Sequence, residues 1–204
     1  MLTREQIRQT YNQLAPSYNR ATLLEEYLFG VKRLRRRFFQ GASGKILEVA
    51  AGTGKNLPYF RSDDITAVDL SVGMLQVARQ AVNQSSTQVK FAIMNAENLG
   101  FADHVFDTVV SSLSTCTFPD PIKALGEMGR VCKADGHILL LEHGRSKYRL
   151  INAYLDRYAE RHYQVAGCRW NQEPPDLVEQ SGLRVLSVQR FFFGVFYAIE
   201  AVPA

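Results

Sequence analysis

An α/β fold with a mostly parallel sheet is the architecture that this sequence predicts, and three patterns indicate it. Short apolar runs alternate with helix-like segments through the middle of the chain, as in strands joined by crossover helices. A turn of small residues, Ala50 to Gly54, follows the first apolar run, where such folds bind ligands. Two final runs, Arg184 to Gln189 and Phe196 to Val202, follow each other closely, as an antiparallel pair does.

Composition excludes several classes of protein. The chain has 204 residues, 46% of them hydrophobic and 22% charged, which fits one ordinary globular domain and argues against wholesale disorder. Cys116, Cys132 and Cys168 are widely spaced, so we predict no disulfide framework, no metal site and a reducing compartment, cytoplasmic or mitochondrial matrix. The longest apolar stretch, 191–199, is shorter than the roughly 20 residues that span a bilayer. The N-terminal residues indicate a polar helix rather than a signal peptide.

Two helical segments are predicted before the first strand. Helical spacing of apolar residues predicts a helix over 3–15, from Ile7, Tyr11, Leu14 and Ala15. It predicts a second over 23–39, with Leu24, Leu28, Val31, Leu34 and Phe38 on one side. The small residues at 41–44 then break the chain. We therefore predict a helical extension or lid at 1–40 and a ligand-binding α/β domain at 41–204.

The remaining elements alternate in type. Apolar runs predict strands at 45–50, 65–70, 89–93, 106–110 and 137–141. Helix-like segments lie between them at 56–60, 74–82 and 122–132. This alternation places the carboxyl ends of successive strands at one edge of the sheet, where ligands bind in open α/β folds.

The small-residue turn narrows the class of ligand, because glycine and alanine let a ligand approach the backbone. A phosphate-binding P-loop needs Gly where Val49 stands and Ser or Thr where Asn56 stands. A dinucleotide fingerprint needs a third glycine where Leu57 stands. The turn matches neither pattern. The remaining indications of a ligand are two carboxylates, Glu48 in the first strand and Asp69 at the end of the second. Asp69 is placed either to accept hydrogen bonds from ribose hydroxyls or to cap the next helix.

Five segments in order, 49–54, 69–75, 95–101, 106–110 and 127–137, resemble class I S-adenosylmethionine-dependent methyltransferases, in the group of the ubiquinone and menaquinone C-methyltransferases. Ala50 replaces that family's usual first glycine, and Asn95 and Asn19 replace aspartates. The resemblance implies a Rossmann-like seven-stranded mixed sheet in the order 3-2-1-4-5-7-6, with helices on both faces. It also implies S-adenosylmethionine as the cofactor. Residues 141–146 and 167–171 further resemble mitochondrial inner-membrane methyltransferase-like proteins and bacterial phospholipid N-methyltransferases.

The same resemblance implies the cofactor-binding residues. In the family, the residue at position 95 bonds the adenine amino group, and the segment at 10–19 folds over the cofactor. The candidates are Tyr11, Tyr18, Glu48, Ala50, Gly52, Gly54, Asn56, Asp69, Leu70, Met74, Asn95, Ala96, Glu97 and Ser111.

Candidate catalytic residues follow the predicted fifth strand. Methyl transfer needs donor and acceptor held in line, and a base only where the acceptor must lose a proton. His143 is the candidate base because imidazole titrates near neutrality, and a structural histidine is the alternative. Glu142 is a second candidate, or the partner of an arginine such as Arg145 or Arg169. Cys116 has no partner evident in the sequence, which favours a neutral wall residue over a nucleophile.

A run of basic residues indicates a membrane surface as a candidate partner. Lys32, Arg33, Arg35, Arg36 and Arg37 could lie at an anionic membrane surface or form a solvated helix face. Nothing else in the sequence favours nucleic acid. With the aromatic run at 191–197, we predict an apolar or amphipathic acceptor, quinone- or lipid-like, with a soluble small molecule next. The alternative function is a noncatalytic methyltransferase fold that binds a ligand or aids assembly.

Overall fold

A seven-stranded mixed sheet forms the centre of the protein in the computed structural model, which describes residues 2–83 and 88–204. The strands are β1 (Ile46–Val49), β2 (Ile65–Asp69), β3 (Val89–Ile93), β4 (Phe106–Ser112), β5 (Cys132–His143), β6 (Leu183–Phe191) and β7 (Phe196–Pro203). Their order is β3-β2-β1-β4-β5-β7-β6, which confirms the predicted topology. The first five strands pair in parallel, and β7 runs antiparallel to β5 and β6. The predicted final antiparallel pair is therefore confirmed.

Seven helices surround the sheet in the described residues. They are α1 (Arg4–Ala21), α2 (Leu23–Leu28), α3 (Val31–Phe39), α4 (Val72–Val82), α5 (Pro121–Val131), α6 (Arg149–Ala166) and α7 (Pro174–Gln180). Short 3-10 turns lie at Leu57–Tyr59 and Thr115–Thr117. None of the described helices combines the length and the apolarity that crossing a bilayer requires.

The core lies on both faces of the sheet. Successive strand residues point to opposite faces, and Ile46 and Leu47 of β1 are both fully buried. Ile46 belongs to the core that contains Phe39 of α3, whereas Leu47 belongs to the core that contains Leu125 of α5. A strand buried on both faces is typical of a parallel sheet covered by helices.

The prediction of one helix over 23–39 is wrong. The chain divides at Gly30, whose φ of +69° lies in the left-handed region that glycine favours. α2 and α3 consequently present different faces: Val31 is buried, while Leu24 and Leu28 of α2 are 68% and 65% exposed. The first helix is longer than predicted, because it continues past Pro16 to Ala21.

Two elements of the body also differ from their predicted form. The helix predicted at 56–60 is a single 3-10 turn, Leu57–Tyr59, which ends at Phe60, where the backbone becomes extended (φ −73°, ψ 140°). The strand predicted at 137–141 extends over Cys132–His143, because it pairs with a neighbour on each side. Its last residue, His143, pairs with Phe196 at the start of β7.

Buried polar contacts fasten the N-terminal helices to the sheet. Arg35 donates hydrogen bonds to Glu26 Oε1 (3.1 Å), Asn56 Oδ1 (2.7 Å) and Ser112 Oγ (2.6 Å). Only 5% of Arg35 is exposed, so the prediction that it contacts a membrane surface is wrong. Its four basic neighbours, Lys32, Arg33, Arg36 and Arg37, are exposed. The domain boundary near residue 40 stays a prediction.

Candidate active site

A pocket lies at the carboxyl ends of β1, β2 and β4, underneath α1. Its floor is the small-residue turn after β1 together with the segment 69–71 after β2. Tyr11 and Tyr18 of α1 line its opposite side. Asn12, on the same helix, accepts hydrogen bonds from Ser71 Oγ (2.7 Å) and from the backbone N–H of Gly73 (3.0 Å). The first helix therefore rests directly on the loop that ends the second strand.

The turn after β1 exposes backbone to the pocket. Ala50 has a φ of +55° and Gly52 a φ of +56°, a conformation that costs a residue with a side chain about 1–2 kcal/mol. A Cβ at Gly52 would meet no atom within 4 Å, whereas a Cβ at Gly54 would lie 2.8 Å from Leu57 Cδ1. Gly52 thus leaves open space for a ligand, and Gly54 allows close packing beneath the turn.

Asp69 joins the two halves of the pocket floor. Its Oδ2 accepts from the backbone N–H of Gly52 and its Oδ1 from that of Ser71, both at 2.8 Å. Burial raises the pKa of Asp69 although both hydrogen bonds oppose the rise. A carboxylate offers about four acceptor positions, so this side chain can still accept from ligand hydroxyls.

Most of the predicted cofactor residues meet in this pocket. Those that line it are Tyr11, Tyr18, Ala50, Gly52, Asn56, Asp69, Leu70, Met74, Asn95 and Ala96. Those outside its lining are Glu48, Gly54, Glu97 and Ser111.

The four candidates that do not line the pocket hold neighbouring residues in place. Gly54 packs against Leu57, as described. Glu48 Oε1 accepts from Asn56 Nδ2 at 2.7 Å, and its Oε2 is buried with no hydrogen-bond partner. Burial raises the pKa of Glu48 to about 8. Glu97 pairs with Arg4 at 2.8 Å, and Ser111 Oγ donates to the carbonyl of Val49 at 2.8 Å. These residues support the pocket from behind.

A cluster of thiols and imidazole lies beside the pocket. The ligand atoms of Cys116, His143 and Cys168 all lie within 4.8 Å of one another, and Cys168 Sγ is 3.3 Å from His143 Nε2. The fold thus gives Cys116 partners that the sequence did not reveal, and the hydrogen bond to Cys168 together with burial raises the pKa of its thiol well above the ordinary value. Burial alone would lower the pKa of His143, but Cys168, Glu142 and Glu25 outweigh it and raise that pKa to about 9. Hydrogen bonding to Cys116 and proximity to His143 hold the pKa of Cys168 well below its ordinary value.

Glu142 lies behind this cluster. The residue is fully buried and accepts from the backbone N–H groups of Ser114 (3.2 Å) and Thr115 (3.4 Å). Burial raises the pKa of Glu142 to about 6. Arg145, one of its predicted partners, pairs with Asp156 instead, at 2.6 Å. Glu142 thus positions the turn that carries Cys116, and neither Glu142 nor His143 lines the pocket.

Sequence reasoning missed two contributors to the site. Cys168 was not connected to His143, because only the fold brings these distant segments together. Lys55 lines the pocket and pairs with Glu26 of α2 at 3.2 Å. A lone lysine after a glycine turn gives no signal of that partner.

Comparison with known proteins identifies a methyltransferase domain in the chain. Residues 47–140 match the family described as "Methyltransferase domain". The yeast protein "Methyltransferase OMS1, mitochondrial" is 32% identical over 94% of this chain and 45% of its own length. "Phosphatidylethanolamine N-methyltransferase" of Cereibacter sphaeroides is 36% identical over 49% of this chain and 51% of its own. "Ubiquinone/menaquinone biosynthesis C-methyltransferase UbiE" of Cronobacter sakazakii is 29% identical, covering 76% and 66%. The chain thus spans about half to two thirds of the length of these relatives.

Solved structures show the same fold. A Thermotoga maritima structure described as a SAM-dependent methyltransferase, possible histamine N-methyltransferase, has a TM-score of 0.75 at 20% identity, covering 97% of this chain and all of that one. The [4+2]-cyclase SpnF has a TM-score of 0.76 at 16% identity, covering 99% and 97%. The strand order, the matched domain and the relatives agree with the resemblance stated from the sequence, which implies S-adenosylmethionine as the cofactor. The chain therefore contains a methyltransferase domain, and it has the fold of S-adenosylmethionine-dependent methyltransferases.

Proposed function

We propose that the chain transfers a methyl group from S-adenosylmethionine to a small apolar or amphipathic acceptor of quinone- or lipid-like chemistry. One observation carries the proposal: the pocket at the strand ends joins an exposed backbone turn to a buried carboxylate under a covering helix. The names of the relatives, which include a phospholipid N-methyltransferase and a quinone C-methyltransferase, support the acceptor class. From its cysteine usage we place the chain in a reducing compartment, cytoplasmic or mitochondrial matrix.

The residues of the pocket fit this cofactor. Asp69 has acceptor positions left for the two ribose hydroxyls, and the open space at Gly52 admits the ligand against the backbone. Asn95 lines the pocket, where its amide can accept from the adenine amino group. Tyr11 and Tyr18 cover the opposite side. We therefore propose the ten lining candidates as direct cofactor contacts, and the other four as supports.

When bound, the cofactor would supply a methyl group that is already activated on a sulfonium. The chain therefore has to hold the methyl donor and the acceptor in line and to exclude water. Holding two reactants in line can lower the barrier by about 7–11 kcal/mol. Tyr11 is half-buried at the pocket wall, and burial, then Cys116, Tyr18 and Cys168, raise its pKa well above the ordinary value. Tyr11 thus lines the pocket and lies near enough to Cys116 and Cys168 for their charges to affect it. We propose that His143 meets the acceptor on that side, with Glu142 as a positioning residue.

The noncatalytic alternative loses part of its support. It rested on Ala50, Asn19 and Asn95, which depart from the family's pattern. Asn19 Oδ1 accepts from Thr53 Oγ1 at 2.7 Å, a bond that an aspartate oxygen would accept equally. Asn95 retains an acceptor in the pocket. SpnF, a [4+2]-cyclase with the same fold, keeps the alternative worth testing.

A labelled-methyl transfer assay tests the proposed function. The chain is incubated with methyl-labelled S-adenosylmethionine and a cell extract separated into lipid and aqueous fractions, and the products are resolved by mass. Label in a product of the lipid fraction supports the proposal, and label only in aqueous products contradicts its acceptor class. Cofactor binding by calorimetry without any labelled product supports the noncatalytic alternative.

We further propose that an aromatic patch contacts a membrane surface during acceptor capture. The patch consists of Phe29, Tyr148, Phe192 and Phe193, each between 38% and 59% exposed. The ring centroids of Phe29 and Phe192 lie 4.4 Å apart with the rings tilted by 37°, and Phe193 contacts both Phe192 and Tyr148. Exposed contiguous apolar surface is typical of an interaction site.

Backbone strain and charge support this use of the aromatic patch. Phe192 and Phe193 have φ values of +44° and +56°, a strained conformation for bulky residues, and both rings are exposed. Lys147 lies over the Tyr148 ring at 5.1 Å. Exposed basic residues of α3 follow Phe29 along the chain. Aromatic side chains with adjacent cations suit an anionic lipid surface.

Cosedimentation with vesicles tests the membrane contact. Phosphatidylcholine vesicles with phosphatidylserine should bind the wild type at low salt, and vesicles without phosphatidylserine should bind it less. The double variant Phe192→Ser, Phe193→Ser should lose binding. Ile93→Ser, an equally exposed apolar position on the opposite edge of the sheet, should retain it. A wild type that stays in the supernatant at low salt contradicts the proposal.

A further inference from the structure

Three chain segments bring two thiols and one imidazole together. Cys116 lies in the 3-10 turn after β4, His143 ends β5, and Cys168 follows α6. Their ligand atoms lie within 4.8 Å of one another, and the Cys168 Sγ to His143 Nε2 distance is 3.3 Å. The set is absent from the sequence as a motif, because no two of its members are neighbours along the chain.

We propose that Cys116, His143 and Cys168 bind a zinc ion. Thiolate sulfur and imidazole nitrogen are the ligands that zinc prefers in proteins. Zinc lies about 2.3 Å from sulfur and about 2.0–2.1 Å from nitrogen, which places tetrahedral ligand atoms about 3.5–3.8 Å apart. The observed separations need only small side-chain shifts to reach this arrangement. Three protein ligands leave a fourth position open, as in catalytic rather than structural zinc sites.

The surroundings hold the three ligands in place. The backbone N–H of Arg169 donates to the carbonyl of Cys116 at 2.9 Å, which ties the two cysteine segments together. Glu142 holds the turn before Cys116 through the N–H groups of Ser114 and Thr115. Beyond Cys168, the Trp170 ring stacks on His162 at 4.0 Å. Fixed outer contacts of this kind orient metal ligands and raise affinity.

The proposed zinc site lies on the acceptor side of the pocket. Cys116 stands between Ser114 and Thr117, which both line the pocket. An ion there would offer its open position to water or to a heteroatom of the acceptor. Nε2 of His143 cannot at once bind zinc and receive a proton, so metal content decides which role it has. Zinc binding does not depend on the proposed methyl transfer.

Metal titration of the whole chain tests the proposal. Reduced protein freed of metal by a chelator is titrated with Zn²⁺ against a chromophoric competitor, and with Co²⁺ as a spectroscopic substitute. We expect one ion per chain and thiolate-to-cobalt charge-transfer absorption. Cys116→Ala, Cys168→Ala and His143→Ala should each weaken zinc binding at least 10-fold, in the range seen for disturbed metal sites. Cys132→Ala is the matched control, because that buried thiol lies outside the cluster and donates to the carbonyl of His137.

Two outcomes overturn the proposal. One is a wild type without stoichiometric zinc, or with cobalt spectra that lack charge-transfer bands. The other is equal zinc affinity in Cys168→Ala and Cys132→Ala. Thermal melting and S-adenosylmethionine binding of each variant show whether it is folded. If Cys116→Ala fails to fold, the partly exposed Cys168 decides the test. A chain that binds zinc but transfers no methyl group refutes only the proposed function.

Discussion

At the scale of single residues, we propose that Asp69 contributes most to cofactor affinity. Asp69→Ala removes a charged acceptor for the ribose hydroxyls, a loss of about 1.5–3 kcal/mol. We expect S-adenosylmethionine affinity to fall roughly 10- to 150-fold, measured by calorimetry. Asp103→Ala, an exposed carboxylate paired with Arg130, is the control. Equal cofactor affinity in wild type and Asp69→Ala would refute the assignment.

His143 is expected to act on the acceptor and not on the cofactor. His143→Ala should lower turnover about 10²-fold or more at pH values above about 9, where the imidazole is neutral and can accept a proton, while cofactor affinity stays within a few-fold of wild type. His137→Ala is the control, because His137 lies on the same strand, is exposed and contacts Glu200. Turnover of His143→Ala near that of His137→Ala would make His143 a structural residue.

Glu48 gives stability a dependence on pH. Its folded pKa is about 8, whereas that of an exposed glutamate is about 4.3. The folded state therefore binds the proton more tightly, so this group's contribution to stability is present at low pH and is lost as pH rises towards 8. Denaturant unfolding at pH 5 and pH 9 should show Glu48→Gln gaining stability relative to wild type at the higher pH. An unchanged difference between the two pH values would contradict this.

At the scale of secondary-structure elements, Arg35 links three parts of the chain. It connects α2, through Glu26, to the turn after β1 and to β4. Arg35→Gln leaves the buried Glu26 with fewer partners, and breaking such a pair costs about 3–5 kcal/mol. Arg36→Gln, one residue away and exposed, should change the free energy of unfolding by less than about 0.5 kcal/mol. Urea titration measures both. Equal effects would show that the buried network is not stabilising.

Ligand binding should stabilise the molecule as a whole. At 100 times its dissociation constant, S-adenosylmethionine stabilises the folded state by about 2.7 kcal/mol. For a chain of this size, the melting temperature should rise by roughly 5–10 °C. Asp69→Ala at the same cofactor concentration should show a smaller rise. No rise in the wild type would contradict binding in this pocket.

Much of the whole fold could be predicted, because its signals are local in the sequence. Apolar runs and the turn at Gly52 indicated parallel strands, and Asp69 was placed by its position after the second strand. The division at Gly30 could not be predicted, because helical spacing continues through it. The burial of Arg35 depends on Glu26 and Asn56, which a basic run does not reveal. The contact between Cys168 and His143 could not be predicted either, because it depends on the tertiary structure alone.

The helix α1 covers the cofactor pocket with Tyr11 and Tyr18, and the same tyrosines lie beside the thiol cluster. The helix α1 thus covers both the cofactor and the acceptor of the proposed reaction. We expect cofactor exchange to require α1 to move away, which would also open the acceptor side of the pocket. Steady-state kinetics should therefore be sequential and ordered, with the nucleoside product leaving last and inhibiting competitively against the methyl donor.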